Sequence, residues 1–150
     1  NDFFINQLKG FKDVIDDITG TMNSIGWVIS GFSLLVGGFG IANIMFVSVK
    51  ERTNLIGIQK SLGAKNKFIL FQFLFEAVIL SVIGGLIGLI LVFIVSLVAS
   101  SFSGDFNFVL SPWNMFLGTA ISAIIGLISG IIPAISASKL DPVEAIRTGQ

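Results

Sequence analysis

Charged residues break this chain into three long uncharged stretches, residues 18–49, 77–104 and 106–138. Crossing about 30 Å of hydrocarbon takes about 20 helical residues, and each stretch exceeds that. Inside hydrocarbon every backbone N–H and C=O must be paired within its own segment, so a helix is the default reading of each. A membrane β-barrel would alternate apolar and polar side chains, whereas residues 68–71 and 86–95 carry no polar side chain at any position. The pattern predicts an all-α membrane protein with three transmembrane helices, over residues 23–49, 68–100 and 112–138.

Finer patterning adds elements at the edges of these spans. Phe4, Leu8, Phe11, Ile15, Ile18, Met22 and Ile25 recur at alternating spacings of four and three. That is an a/d seam continuous with the first span, and it predicts an extracytoplasmic stalk helix over residues 1–22. The bland reading of the same stretch is an amphipathic helix lying on the outer leaflet. Only Lys9 and Lys12 are basic there, which argues for the stalk. Leu55, Ile58 and Leu62 share one helical face with Ile56 beside it, so a short amphipathic helix is expected in the connection 50–67. Gly63 reads as its stop. Ser111-Pro112-Trp113 reads as an N-cap, a proline at the first helical position and an interfacial aromatic. Asp141-Pro142-Val143-Glu144 repeats that logic for a short helix in the tail, residues 139–150.

Composition agrees with the pattern and excludes several functions. At 53% hydrophobic and 12% charged residues, a soluble domain of 150 residues could not hide its apolar surface. Nine basic and nine acidic residues give no net charge, so nothing points to a nucleic-acid partner. Without cysteine or histidine there is no disulfide framework, no usual transition-metal site and no histidine general base. No catalytic, cofactor-binding or metal-ligating set stands out. Charge distribution sets orientation: Lys50, Arg52, Lys60, Lys65 and Lys67 face a single acid, Glu51, in the first connection, while residues 101–111 hold only Asp105. By the positive-inside bias the first connection is cytosolic and the second extracytoplasmic. The first helix then starts outside, which calls for an earlier signal or helix. With no initiator methionine at Asn1, the chain is expected to be a piece of a longer protein.

Small residues mark packing faces. Gly118, Ser122, Gly126, Gly130, Ala134 and Ser138 recur every fourth residue along the third span, and Gly84 with Gly88 gives the second a GxxxG. Such ridges let helix backbones approach closely where no hydrophobic drive exists. Glu76 is the one charge inside a span. Intramembrane acids are costly and often serve proton or ion sites. With no second carboxylate or histidine near it, the structural reading is favoured: an interfacial acid paired with Gln72 or Lys50.

In order, the motifs resemble those of the FtsX/MacB family of ABC transporter permeases. Gly40-Ile41-Ala42-Asn43-Ile44-Met45 followed by Ser48-Val49-Lys50-Glu51-Arg52-Thr53 looks like the end of the family's second helix. Ile56-Gly57-Ile58-Gln59-Lys60-Ser61-Leu62-Gly63-Ala64 is similar to its IGI-(R/Q)-KA-hGA signature, and Gln72-Phe73-Leu74-Phe75-Glu76-Ala77 to its QFLxEA. Pro133-Ala134 with Ala137, then Leu140 to Arg147, is similar to its closing PAxxAxxxDPVEALR, with Ile146 for the last Leu. Leu55 stands where the family usually has Glu before Ile-Gly-Ile, which removes a polar contact and enlarges the apolar face.

The resemblance implies the last three of four transmembrane helices of a multi-pass permease in the cytoplasmic (inner) membrane. It implies no enzyme activity in this chain: a cytosolic ABC ATPase, as a separate subunit or domain, binds ATP and Mg. The ATPase would couple through Lys50, Glu51, Arg52, Leu55, Ile56, Gly57, Ile58, Lys60, Leu62 and Gly63, and the stalk would relay its motion outward. The implied partners are a second permease copy, the lipid bilayer and extracytoplasmic proteins, and the implied role is export, extraction or signalling. No GxxxxGK[ST] phosphate loop occurs in the chain. The alternatives are a fragment of a secondary transporter or channel, which predicts a polar midplane site, and a plain membrane anchor. From the residues alone, the amphipathic loop helix could equally lie on the inner leaflet or dock in a partner's groove.

Overall fold

A computed structural model describes residues 1–104 and 110–148, with all side chains among them but those of Ser103 and Thr148. Asp105 and residues 106–109 of the expected extracytoplasmic connection lie outside the described residues, as do residues 149 and 150. Among the described residues the regular elements are all helices: α1 (Asp2–Glu51), α2 (Thr53–Ser61), α3 (Asn66–Ser103), α4 (Pro112–Ser138) and α5 (Pro142–Thr148). Three of them, α1, α3 and α4, are long and apolar enough to cross a membrane. Packing divides the chain into two units, Asn1–Gly37 and Gly38–Gln150.

The first unit is helical almost from its first residue, and all of its residues are exposed. The seam residues Phe4, Leu8, Phe11, Ile15 and Ile18 are therefore not covered within it. Two of its serines pair their hydroxyls within the helix. Ser24 and Ser33 donate their hydroxyls to the carbonyls of Gly20 and Ile29, one turn back.

In the second unit α3 and α4 run antiparallel and meet along two rows of small residues. On α4 the row is Gly118, Ser122, Gly126 and Gly130; on α3 it is Gly85, Ser81 and Ala77, with the Leu89 side chain meeting Gly118 beyond it. A Cβ built on Gly130 would lie 2.5 Å from Cβ of Ala77, and one on Gly126 would lie 2.9 Å from the Ala77 carbonyl oxygen. The backbones approach as closely as hydrogen in place of a side chain allows. Ser81 and Ser122 keep that contact free of unpaired hydroxyls by donating within their own helices, to Val78 and Gly118. The opposite faces carry exposed isoleucines such as Ile79, Ile83, Ile90, Ile124, Ile128 and Ile132, an apolar surface suited to hydrocarbon.

The one dense core among the described residues lies at the basic end of this unit. Met45 and Val49 of α1, Ile56 of α2, Ile69, Phe73 and Ala77 of α3, and Ala134 and Ala137 of α4 form a single buried cluster. Phe73 is its largest member at 1% exposure. The capping signals sit where the sequence puts them: Ser111 accepts from the Trp113 N–H, and Asp141 Oδ1 accepts from the Val143 N–H at 3.0 Å. The helix α2 is thus set on a packed base.

Candidate functional site

The site begins at a single non-helical residue. Arg52, with φ −99° and ψ 9°, separates α1 from α2, in the sparsely populated bridge region. Hydrogen bonding continues across the break, Arg52 N–H to Ser48 and Ile56 N–H to Arg52. The Thr53 hydroxyl reaches the Val49 and Lys50 carbonyls, both at 2.9 Å, and so occupies acceptors that the end of α1 leaves open. α2 ends equally sharply. Gly63 takes φ +103°, a conformation costly for any side chain. Its N–H bonds to Lys60, and the Ala64 N–H bonds to Gln59. That pairing is the Schellman arrangement of a glycine stop.

Between these stops α2 has two unlike faces. Ile56 and Gly57 are buried, Ile56 in the basic-end core and Gly57 against α5. A Cβ on Gly57 would stand 2.8 Å from Cβ of Ala145 and 3.1 Å from the Pro142 carbonyl oxygen. Only glycine permits that approach. Leu55, Ile58 and Leu62 point away and are exposed, Leu62 at 83%. Ile56, which the sequence places beside that stripe, is turned inward and packs in the basic-end core.

Two cations of the segment are committed to internal partners. Arg52 makes a two-pronged pair with Glu76 of α3, Nη1 to Oε2 at 3.0 Å and Nη2 to Oε1 at 2.9 Å. The sequence alone points to Gln72 or Lys50 as the partner of Glu76. Arg52 reaches it instead because the break after α1 swings its fork-shaped guanidinium toward α3. With side chains 44% and 28% exposed, the pair is screened and contributes less than about 1 kcal/mol. Glu76→Gln is accordingly expected to lower the melting temperature only slightly, with a matching small change for Arg52→Gln and no further loss in the double variant. A complete, pH-dependent loss of function on Glu76→Gln would instead reinstate a proton site.

Lys60 departs most from its expected place. Its ammonium donates to the carbonyl oxygens of Ser138 and Leu140, the latter at 2.7 Å. Burial lowers its pKa below the ordinary lysine value, and the Asp141 carboxylate acts in the opposite direction. Lys50 and Glu51 remain exposed. On the second span, Gly84 and Gly88 have nothing within 4 Å of a built Cβ, and Gly85 holds the contact with Ser122. The α3 side of the α3–α4 contact is therefore one residue out of step with the GxxxG. Of the remaining ridge residues, Gly118, Ser122, Gly126 and Gly130 all lie on that contact.

Residues 27–142 match the family model described as FtsX-like permease C-terminal. The chain belongs to the FtsX-like permease family. This FtsX-like permease chain is 40% identical over 145 residues to the macrolide export ATP-binding/permease protein MacB of Agrobacterium fabrum, covering 97% of the chain and 22% of that protein. It is 44% identical to the MacB of Neisseria meningitidis serogroup A, with the same coverage. Against the MacB of Mannheimia succiniciproducens it is 41% identical, covering 23% of that protein. The chain thus spans less than a quarter of the length of these relatives. With three helices long and apolar enough to cross a membrane, this FtsX-like permease chain is a multi-pass membrane protein. Its motif residues fall into two groups by position, since Ile56, Phe73, Ala77, Ala134, Ala137 and Ala145 are buried while Leu55 and Ile58 are not.

Proposed function

We propose that this chain is the membrane part of an ABC-type transporter in which α2 receives the motion of an ATP-binding domain and passes it to the transmembrane helices. The observation that carries this reading is the division of α2: Leu55, Ile58 and Leu62 are exposed on one face, and Ile56 and Gly57 are seated in the membrane unit on the other. A short helix with free aliphatic anchors suits a hydrophobic groove on a partner. Its seated face gives a displacement somewhere to go. The names of these relatives join ATP binding to a permease, which supports an ATPase partner for α2, either a separate subunit or a domain of one polypeptide. ATP and Mg bind there, and this chain performs no hydrolysis.

The basic end faces the cytosol of an inner-membrane protein in this reading, since Lys50, Lys65, Lys67 and Lys139 gather there. The exposed seam of Phe4, Leu8, Phe11, Ile15 and Ile18 serves as a stalk toward an extracytoplasmic domain and its partner proteins. A second copy of the permease completes the transporter, which acts in export, extraction or signalling.

Leu55→Asp and Ile58→Asp test the reading by pull-down of the transporter's own ATP-binding domain, expressed separately. Each anchor should contribute about 2 kcal/mol, so each variant is expected to weaken capture roughly thirtyfold. Undiminished capture in both variants would remove α2 as the docking element.

A further inference from the structure

We infer that Lys60 is a positioning residue that fastens the C-terminal end of α2 to the end of α4, so that α2 moves with α4 as one body. Both acceptors lie where α4 runs out. Ser138 is the last residue of α4, and Leu140 sits between it and the Asp141 cap of α5. Carbonyls at a helix C-terminus have no partner in their own ladder and form the negative end of the helix dipole. An ammonium with three donors on a flexible stem can satisfy the Ser138 carbonyl at the helix end and the Leu140 carbonyl just beyond it. The attachment joins residues 78 and 80 positions apart in the chain. It is therefore a tertiary fastening and not a local cap.

The surroundings make the fastening selective. Asp141, the capping acid of α5, lies close enough to favour the charged amine, and its side chain also accepts from the Val143 N–H. Gly57 brings Ala145 of α5 against the same helix. The other end of α2 is tied differently, through Arg52 to Glu76 of α3. That second tie is exposed and weak. α2 is thus tied at one end to the end of α4 and at the other to α3, with Ile56 between them in the core that α1, α3 and α4 share. Under a force on its outer face it would carry the end of α4 with it. Only this last step rests on the docking role proposed for α2; the fastening itself does not.

Two measurements on the full-length protein in lipid nanodiscs test the fastening. In the unaltered protein, acylation by an amine-reactive reagent, with each rate corrected for the fraction of uncharged amine because burial lowers the Lys60 pKa, should be roughly tenfold slower at Lys60 than at exposed Lys65 and Lys67. Equal rates would overturn the proposal without any variant having to fold. In Lys60→Met, the distance between spin labels at Ser61 and Ser136 should broaden from one narrow distribution to several. A control pair at Ile79 and Ile132 should stay unchanged and report that α3 and α4 remain packed. An unaltered Ser61–Ser136 distribution would overturn the fastening. Capture of the ATP-binding domain by Lys60→Met should persist, because Leu55 and Ile58 are untouched. Failure of the unaltered protein to capture that domain would count against the docking role alone.

Discussion

Gly126→Val is expected to be the most damaging single substitution in the membrane unit. The new side chain would enter the space held by Ser81, whose Cβ lies 2.5 Å from the Cβ position of Gly126, with the Ala77 carbonyl oxygen at 2.9 Å. Neither obstacle is the free end of a flexible chain. One is a short side chain on the facing helix and the other is backbone, so relief requires α3 and α4 to separate. Overpacking of this kind costs about 3 kcal/mol at its upper end. The separation would also disturb Ala77, which closes the top of the basic-end core. The measurement is thermal unfolding in detergent, where a marked fall in melting temperature is expected. Gly84→Val and Gly88→Val supply the contrast. Nothing lies within 4 Å of either position, so each should change stability by less than about 1 kcal/mol. A fall at Gly84 equal to that at Gly126 would show that the α3–α4 contact uses the other row.

That contrast also marks how far the sequence can be read. The ridge on α4 is legible because six small residues at a spacing of four leave one choice of face. On α3 two adjacent rows compete, Gly84 with Gly88 and Ala77-Ser81-Gly85, and both satisfy the small-residue rule. The glycine pair draws the eye, yet which row meets α4 is decided by the neighbour and not by α3. Helix ends are readable for the opposite reason. Ser111, Asp141 and Gly63 act on groups within a few residues of themselves. The partners of Arg52 and Lys60 are not readable, since they lie 24 positions away and about 80 positions away respectively. A lysine in a basic loop looks like an orientation signal until the end of another helix is placed beside it.

The same logic of close approach makes the α2–α5 contact testable, and there a loss should be repairable. Gly57→Val places a branched side chain where Ala145 Cβ already stands at 2.8 Å and Ile146 Cγ1 at 3.1 Å from the first added carbon. The helix α5 is short, and its anchor in this contact is Ala145, 2% exposed. It is the lighter element and is expected to move. A penalty of about 2 kcal/mol would raise the undocked population roughly thirtyfold. Limited trypsin digestion reads that population directly, because Lys139 precedes the released segment and Arg147 lies in its last turn. Cleavage there should accelerate while cleavage after Lys9 and Lys12, in the other unit, stays constant. Gly57→Ala should show a smaller version of the effect. Exchanging the two residues, Gly57→Ala with Ala145→Gly, moves the methyl group from one helix to the other and leaves the volume between them unchanged. Most of the loss should then be recovered, which separates a packing conflict from a change in the conformational freedom of α2. If the exchange recovered nothing, the glycine would be needed for its backbone and not for the room it gives Ala145. The outward anchors Leu55 and Ile58 are unaffected in all three variants. Any change in ATP-driven coupling would therefore come from how α2 is seated, with docking intact.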